Sequence, residues 1–572
     1  MRVTRLRSAM PAALVAAALA LASPASAAAL AGAAAAPGAG PVAVAVVVPL
    51  TVPPTTTGLL DAETLATYTA EGGLLDRELD AVARTGAAVA LDPMIPASIR
   101  VLGTSAPETA LAFLSRLQSI PNGVFLLGYA DADPALAVVA GSTPELSPAG
   151  FGFAVDPANF GPAVTPTPTP SSDAGADPDP TVSPTPDPTT PPDGPPPLPT
   201  TDDLLAWPAT LPAIAWPGEG TVTADGLAGL TDLGFEHVLL SGGNVSSSHS
   251  ARVALGDIEG LVADGALSSA VRDAAYAPTD AAYVQAQTAL EAVLQTAAQA
   301  TPGRTMIATL DRRWPFGTSR LPEVLNAITA SEASRLVPLP EVLEGPRVSA
   351  SLVPADADVV TERAGVLGAL AAASRAETAY LRIADEPTVI TEPRRLALLG
   401  LSAVAWRFDQ TGWSNAAGEE LSAARGTLSA VQIVEGSDQL LLSDISSLRL
   451  QVSNALPVAV TVTLNVRALR PLLHIDEPSV TVSVEPDSTA NAAVPVEAII
   501  NGDVTVRAEL HDGRGGVVGS PRLLKVIVQA GWETAGTLIV GALVLLIFGG
   551  GLIRAVLRRR REAAEGVPDS DD

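Results

Sequence analysis

The chain has 572 residues, of which 47% are hydrophobic and 17% are charged. This composition excludes a mostly disordered chain, and the length allows roughly two to four domains. The formal net charge of −27 argues against nucleic acid or a bare anionic membrane surface as the main partner. Cysteine is absent, which excludes disulfide bonds, thiolate catalysis and cysteine zinc sites.

The N-terminus has the pattern of a secretory signal peptide. Arg2, Arg5 and Arg7 precede an apolar run over residues 11–22, and small residues follow up to Ala27. A basic start, a short apolar run and an Ala-Ser-Ala site together are typical of a cleaved export signal. We therefore predict a signal peptide over residues 1–27 and export of the chain that follows it.

Between residues 41 and 430, short β-branched runs alternate with helical stretches. The predicted strands cover residues 42–50, 87–91, 124–127, 213–216, 237–240, 258–263, 305–310 and 335–339. Strands that alternate with helices form parallel βαβ units. Seven or eight such units favour a closed or nearly closed (β/α) barrel-like ectodomain, and a doubly wound open sheet is the alternative. Helices predicted at 359–373, 392–406 and 418–428 would complete the outer layer of the barrel.

A proline-rich stretch interrupts this pattern. Residues 162–200 hold 15 prolines in 39 residues, with Thr, Ser and Asp between them. Proline removes backbone donors and restricts φ, so neither helix nor sheet is expected there. We predict a disordered insertion between the third and fourth strands of the barrel.

The pattern changes after residue 430. Seven runs with a period of two residues, such as VTVTLNVRA, occur between residues 431 and 530, and turn-forming residues separate them. Short alternating strands at this spacing predict an immunoglobulin-like β-sandwich. The ectodomain is thus expected to combine an α/β part with an all-β part.

The C-terminal region contains a candidate membrane span. Residues 534–553 form a run of 20 residues without a charge, and Arg554 and four arginines at 558–561 follow. Such a run is long enough to cross the hydrocarbon core, and arginines beside a span stay in the cytoplasm. We therefore predict one transmembrane helix at 534–553, a cytoplasmic tail at 554–572, and an extracytoplasmic ectodomain attached to the cell membrane.

Acidic and tryptophan side chains follow the predicted strands at the ends where (β/α) barrels bind ligands. The candidates for acid–base catalysis are Asp92, Asp131 (with Asp133 beside it), Asp264 and Asp311, and those for ligand binding are Glu219, Trp216 and Trp314. Paired carboxylates hydrolyse glycosidic bonds, and tryptophan stacks on sugar rings. The alternative is that these aspartates only cap the following helices, which fits Asp92 and Asp264 well.

No sequence signature of a metal site, cofactor site or nucleophile is found. The four histidines, at positions 237, 249, 474 and 511, do not form a His-x-x-His or His-Glu-x-x-His pair. A zinc hydrolase site requires clustered His and carboxylate ligands. The Gly-x-Ser-x-Gly motif and the P-loop are also absent. We predict neither a cofactor nor a metal.

Several short motifs, taken in their order along the chain, resemble one protein family. They are VVVPLT, VALDP, GYADADP, IAWPGEG, LVADGALS, the turn Asp311-Arg312-Arg313-Trp314, and RRLALLGLSAVAWR. The family is the actinobacterial group of uncharacterised exported single-pass membrane proteins (domain of unknown function 6049). The resemblance covers nearly the whole mature chain apart from the insertion. It implies a role in the cell envelope, because members tend to be encoded near a flippase for peptidoglycan precursors, and it supplies no catalytic residues.

Three hypotheses for function follow from these observations. The first is a non-catalytic envelope protein whose ectodomain binds a partner protein or cell-wall glycan, with a link to peptidoglycan synthesis. The second is a glycan-active hydrolase that uses carboxylates at the barrel mouth. The third is a structural or adhesive surface protein. Convergence of the four candidate aspartates in one pocket would favour the hydrolase.

Overall fold

The structure is a computed structural model. It describes residues 40–161, 197–246, 249–313, 319–353, 355, 357–443, 445–529 and 532–564. The signal peptide predicted at 1–27, the larger part of the predicted insertion (162–196) and the end of the predicted tail (565–572) lie outside the described residues.

The α/β part contains one sheet of ten strands in the described residues. The strands are β1 (Val42–Leu50), β2 (Ala88–Leu91), β3 (Val124–Leu126), β4 (Ile214–Ala215), β5 (His237–Ser241), β6 (Arg252–Leu255), β7 (Ile258–Ala263), β8 (Thr305–Thr309), β9 (Ser334–Leu336) and β10 (Val348–Ser349). All nine residues of β1 are buried, so this strand lies at the centre of the sheet.

Fourteen helices accompany this sheet in the same part of the described chain. They are α1 (Ala62–Thr69), α2 (Leu74–Val82), α3 (Met94–Val101), α4 (Glu108–Gln118), α5 (Pro134–Ala140), α6 (Thr201–Leu205), α7 (Ala224–Asp232), α8 (Gly265–Ala275), α9 (Asp280–Ala300), α10 (Leu321–Ala330), α11 (Leu339–Glu344), α12 (Ala357–Tyr380), α13 (Thr388–Leu401) and α14 (Gln410–Leu428). Most of them follow a strand, as the sequence pattern predicts.

Seven of the strands form one parallel series. The segments β4-β5-β7-β8 and β1-β2-β3 each follow chain order, and the pair β8–β1 joins them. From β4 through β5, β7, β8, β1 and β2 to β3, each strand pairs with the next. Between β3 and β4 the described residues contain no ladder. The backbone N–H groups of Thr210 and Leu211 instead donate to the Val124 carbonyl, both at 3.0 Å. The fold is therefore mixed α/β with a strongly curved sheet, and a closed (β/α) barrel is not confirmed.

Alternate residues of β1 point to two different cores, as the period of a strand requires. Val42, Val44 and Val46 pack with the surrounding helices in the largest core cluster. Ala43 and Ala45 face a second cluster, which also contains inward-facing residues of β2, β3, β4, β5, β7 and β8. The side chains on the concave face of the sheet thus pack against one another.

The helices α12, α13 and α14 form a layer of their own. Residues such as Leu367, Leu401 and Trp413 share a small core with Leu136 of α5. That these segments complete the outer layer of a barrel stays a prediction. Leu396 and Leu399 of α13 also belong to the largest core cluster, so the layer packs on the main core directly as well as on α5. Its position leaves space between α13 and the all-β part.

The described residues of the all-β part form nine strands in two sheets. They are β11 (Val431–Ile433), β12 (Gln439–Leu441), β13 (Ile445–Asn454), β14 (Val460–Ala468), β15 (Leu473–Ile475), β16 (Ser479–Val484), β17 (Ser488–Ala498), β18 (Gly502–His511) and β19 (Val517–Val528). One sheet has the order β11-β13-β17-β15 and the other the order β12-β19-β18-β14-β16. The two sheets share one aliphatic core, so this part is a β-sandwich.

The last described helix is α15 (Trp532–Ala564). Within it, the segment Gly536–Arg561 is long and apolar enough to cross a membrane, and its side chains are not buried against the rest of the chain. Among the helices that the structure describes, α15 is the one that is long and apolar enough to cross a membrane. It contains the span that the sequence predicts at 534–553.

The sequence did not predict four strands, namely β6, β10, β11 and β15. Each is two to four residues long, which is too short for a period of two to be recognised. They form because a neighbouring strand offers unpaired backbone groups. For example, β6 is the antiparallel partner of β7.

A fragment of residues 28–162 should not fold by itself. Strand β1 pairs with β8 along one edge, and β9 pairs with its first three residues. The fragment lacks both partners and leaves an apolar sheet face uncovered. Circular dichroism should therefore show no cooperative thermal transition for 28–162, whereas a longer fragment of residues 28–430 should show one. A sharp, reversible transition in the short fragment would mean that the first three strands form an independent domain.

Candidate functional site

Five side chains from four strand ends lie near one another at the carboxyl edge of the parallel sheet, and we call them the edge cluster: Asp92, Asp131, Asp133, Trp216 and Arg312. Asp92 follows β2 and Trp216 follows β4. Asp131 closes a 3-10 turn after β3, and Arg312 comes shortly after β8. Parallel strands end at a common edge, which brings these distant positions together.

Arg312 is the centre of the edge cluster. Its guanidinium donates to both carboxylate oxygens of Asp131 at 3.1–3.2 Å and to the Trp216 carbonyl at 2.9 Å. It also lies 4.0 Å from the centroid of the Trp216 ring. Arg312 is 8% exposed and Asp131 is 4% exposed. This is a buried, bidentate ion pair that also stacks on an aromatic ring, an arrangement suited to arginine.

The turn that carries Asp131 has an unusual backbone. Ala130 and Asp131 have φ values of 57° and 53°, in the left-handed region that side chains with a Cβ disfavour. The backbone amides of both residues lie close enough to the Asp92 carboxyl to lower its pKa, as does the amide of Met94, which donates at 2.9 Å. The strained turn thus supplies polar partners to a buried acid.

Asp92 is an acid in an apolar setting. Burial is the main cause that raises its pKa from 3.8 to about 8, and the negative charge of Asp131 adds to the rise. The backbone amides around it oppose the rise and do not cancel it. Burial also raises the pKa of Asp131, and the Arg312 guanidinium opposes that rise. At neutral pH, Asp92 therefore holds a proton.

Asp133 is a structural member of the cluster. One carboxylate oxygen accepts from the amides of Ala135 and Leu136 at 3.1 and 3.0 Å, and so caps α5. The other accepts from the Gly218 amide at 3.0 Å and the Thr221 hydroxyl at 2.9 Å. Both oxygens are used within the chain, so Asp133 ties the turn after β4 to the start of α5.

Two of the other predicted residues lie on the outer rim of the cluster. Glu219 is half exposed, with its carboxylate 3.4 Å from Arg407 and 3.9 Å from Arg272. Asp311 forms an ion pair with Arg313 at 3.1 Å. Both carboxylates are balanced by arginines of the same rim.

The structure does not bring Asp264 to the edge cluster. Its amide donates to the Ile307 carbonyl. Its carboxylate caps α8 at the amide of Leu267 and forms an ion pair with Arg304 at 2.8 Å. Asp264 therefore has the capping role that was the alternative to catalysis. Trp314 lies outside the described residues.

Sequence reasoning missed two residues of this region. In the motif Asp311-Arg312-Arg313-Trp314, the sequence indicates only Asp311 and Trp314 as candidates. The acidic partner of Arg312 is Asp131, which lies 181 positions away along the chain. Glu78 on α2 is fully buried, and neither carboxylate oxygen has a hydrogen-bond partner. Burial raises the pKa of Glu78 well above its ordinary value. Its position between Leu74 and Val82, at a spacing of four, was a signal that it faces the core.

The described residues form three spaces beside the edge cluster. Two clefts that border Trp216 have volumes of about 20 Å³ each, which is room for about one water molecule. A third cavity of about 230 Å³ lies on the far side of Asp133, between Glu219, Arg363 and Arg407. In the described residues, no group of three His, Cys, Asp or Glu side chains is arranged to hold a metal ion.

A much larger space separates the α/β part from the β-sandwich. We call it the apolar groove, and its volume is about 1050 Å³. Its lining is mainly aliphatic and includes Leu59, Leu102, Phe153, Val389, Ile390 and Leu456. Phe153 and Val389 are both exposed. The groove thus presents an apolar surface that the described chain leaves open.

The polar groups of the groove are mostly satisfied within the chain. Arg394 forms ion pairs with Glu420 at 3.0 Å and with Glu377 at 3.6 Å. Pro393 lies inside α13 and has no N–H, so it cannot donate the usual helical hydrogen bond to the Val389 carbonyl. The wall of the groove therefore combines aliphatic side chains with the Arg394 guanidinium, whose charge is balanced by Glu420 and Glu377. It also contains the Val389 carbonyl, which lacks its helical donor.

The chain belongs to a family of unknown function. The model of this family, DUF6049, matches residues 26–570, which is nearly the whole chain. The family description assigns no activity, ligand or residue role. The chain has no match among curated proteins.

Solved structures resemble only a limited part of the chain. Native alpha-2-macroglobulin from Escherichia coli is 21% identical over 18% of this chain and 17% of that chain, with a TM-score of 0.16. An MSP family member from Caenorhabditis elegans is 6% identical over 18% of this chain and 98% of its own, with a TM-score of 0.14. A FixG-related protein from Vibrio parahaemolyticus is 17% identical over 17% and 94%, also at 0.14. Likenesses at this level support no conclusion about function.

Replacing Asp92 by Asn should weaken the pH dependence of stability. The folded pKa of about 8 lies above the ordinary value of 3.8, so the folded state holds an extra proton between these values. This contribution is complete at low pH and is lost as pH rises through the folded pKa. In this range the wild-type chain should lose up to ~1.4 kcal/mol more unfolding free energy per pH unit than Asp92→Asn. Urea unfolding of the full chain in detergent measures the difference.

Glu78→Gln is a second variant for the same experiment, because burial raises the pKa of Glu78 in the same direction. The double variant Asp92→Asn/Glu78→Gln should have a flatter pH profile than either single variant. Equal pH slopes for the wild-type chain and Asp92→Asn would instead show that the folded chain holds Asp92 ionised.

Proposed function

We propose that this chain is a non-catalytic, membrane-anchored protein of the cell envelope whose exported part binds a partner protein. The observation that carries the proposal is the apolar groove, about 1050 Å³ in volume, compared with clefts of about 20 Å³ beside the edge cluster. The cavity of about 230 Å³ borders only Asp133 among the buried acids, and both oxygens of Asp133 are already used within the chain. The space that fits a polypeptide segment lies elsewhere, next to the β-sandwich.

The lining of the groove favours a protein segment over a glycan. Sugar-binding sites use aromatic faces as platforms, and the described lining contains no tryptophan or tyrosine. Burial of aliphatic surface such as Val389 and Leu456 stabilises a complex at ~25 cal/mol per Å². The Val389 carbonyl, without its helical donor, suits a backbone N–H of an incoming peptide. The expected partner segment is therefore uncharged and apolar.

The proposed architecture is a (β/α) barrel that carries an immunoglobulin-like β-sandwich. The order of the seven parallel strands and the shared cluster on their concave face support a closed barrel, with the Arg312–Asp131 ion pair and the hydrogen bonds to Val124 bridging the gap between β3 and β4. Two antiparallel sheets over one core support the sandwich. The edge cluster then fills the barrel mouth.

The proposed topology is a single pass with the C-terminus inside. Arginines at 554 and 558–561 follow the uncharged run of α15, and clustered arginine beside a span stays in the cytoplasm. Under this proposal, with a signal peptide at residues 1–27, the α/β part and the sandwich lie outside the cell membrane. A role in peptidoglycan synthesis rests on the family resemblance.

One observation favours the hydrolase as a second candidate. A protonated Asp92 near Asp131, whose charge raises its pKa, resembles the acid and the ionised carboxylate that glycoside hydrolysis needs. In retaining or inverting enzymes the two carboxyl groups border a substrate cleft. A catalytic role here would require Arg312 to leave Asp131 and open such a cleft.

A peptide library tests the groove. The purified full chain in detergent should select apolar peptides from a random displayed library, because the groove buries aliphatic surface. The variant Phe153→Asp/Val389→Asp should lose these peptides, since a charge in the groove would have to be desolvated. Leu111→Asp is the control, because Leu111 is an exposed leucine on α4 and does not line the groove.

The same protein samples, applied to an array of cell-wall glycan fragments, separate the remaining possibilities. We expect no glycan binding by the wild-type chain. Glycan binding that survives the groove variant, or peptides that bind the groove variant as well as the wild-type chain, would contradict the proposal.

Protease accessibility tests the proposed topology. Protease added to intact cells with a permeable wall should digest the exported part and leave a tag at Asp572 intact, because the tail lies behind the membrane. Permeabilised cells are the control, in which the tag should also be lost. Loss of the tag in intact cells would reverse the proposed orientation.

A further inference from the structure

Five aliphatic side chains are exposed at or next to one end of the β-sandwich, and we call them the aliphatic end: Leu442, Ile445, Leu469, Ile499 and Ile500. Each is between 51% and 76% exposed. Leu442 follows β12, Ile445 begins β13, Leu469 follows β14, and the two isoleucines lie between β17 and β18. Surface aliphatics are normally scattered, and a group of them marks a contact surface.

The strand pairing shows that these positions lie at the same end. Ile445 pairs with Glu497 near the end of β17. Gly502, directly after the turn that holds the two isoleucines, pairs with Val528 at the end of β19. The amide of Gln529, just after β19, donates to the Leu441 carbonyl at 2.8 Å. Residues from both sheets therefore surround the point where the chain leaves the sandwich.

This exit point leads directly to α15. Strand β19 ends at Val528 and α15 begins at Trp532, so the two residues are at most ~14 Å apart. The segment that can cross a membrane starts at Gly536, one helical turn later. If α15 spans the bilayer, the aliphatic end must lie near the bilayer surface.

The opposite end of the sandwich is already occupied. There, Ala384 forms an isolated bridge with Val460, and the amide of Asp385 donates to the Ala459 carbonyl at 3.0 Å. Leu456 and Pro457 of the same end line the apolar groove. The α/β part and the membrane anchor are thus attached at opposite ends of the sandwich.

We propose that the aliphatic end inserts into the interfacial layer of the lipid bilayer that holds α15. This proposal rests on the anchoring role of α15 proposed above and adds a second point of attachment. Aliphatic side chains gain by leaving water at the boundary between headgroups and acyl chains. Contacts on both sides of the chain exit hold the sandwich upright, and they fix the distance of the apolar groove from the membrane.

Single cysteines allow a direct test, because the native chain has none. The full chain is reconstituted in phosphatidylcholine vesicles with an environment-sensitive fluorophore on Leu442→Cys or Ile500→Cys. Lipids that carry a nitroxide near the headgroup should quench most of this fluorescence. The matched control is Val517→Cys, an exposed valine at the start of β19, ~37 Å along the strand from Val528. Its fluorescence should not change.

A fourth variant tests separately whether α15 is inserted in the bilayer. Leu545→Cys, within the segment Gly536–Arg561, should be quenched by lipids with the nitroxide near the acyl-chain end. If the probe at 545 is quenched and the probes at 442 and 500 behave like the one at 517, α15 spans the bilayer but the aliphatic end does not contact it. The proposal about the aliphatic end is then wrong. If the probe at 545 is not quenched, α15 does not span, and both proposals fail. A surface reserved for a partner protein gives the first of these results, because the vesicles contain lipid only.

Discussion

The Arg312 guanidinium connects the chain after β8 to the turn after β3 and to the Trp216 carbonyl after β4. It acts where backbone pairing stops, because the described residues contain no ladder between β3 and β4. A buried charge is tolerated only when its partner stays in place. The left-handed turn at Ala130 and Asp131 and the position of the Trp216 ring are therefore coupled to this pair. Among the described residues, the two clefts that border Trp216 at this edge have volumes of about 20 Å³ each.

Distinct parts of the chain have distinct physical characters. The edge cluster is polar and buried, and its charged groups have partners within the chain. One carboxylate oxygen of Asp133 caps α5, and the other accepts a hydrogen bond from the Gly218 amide. The apolar groove is open and aliphatic, and its lining includes residues of α13, of α14 and of the segment between β13 and β14 of the sandwich. The sandwich borders that space at one end and leads to α15 at the other. Recognition at the groove would then take place at a fixed height above the bilayer.

Much of the fold is visible in the sequence. The hydrophobic period alone predicts β1, β7, the long helices and the alternating strands of the sandwich, because each buries one face or one stripe. Short strands such as β6 and β15 were missed, since pairing with a neighbour creates them. In the structure, Asp92, Asp131 and Trp216, which each follow a strand, lie at a common edge. Sequence position could not distinguish them from Asp264, which also follows a strand but caps α8 and forms an ion pair with Arg304.

Local patterns in the chain therefore decide which segments form strands, which form helices and which one is the candidate membrane span. The reason is that propensity, periodicity and length act over neighbouring residues. Contacts between distant segments decide what the site can do. The partner of Arg312 lies 181 positions away, and the lining of the groove comes from both the α/β part and the sandwich. The charge state of Asp92 depends on burial and on a turn formed by another strand end. No periodicity encodes these contacts, since they depend on how layers of the fold pack in three dimensions.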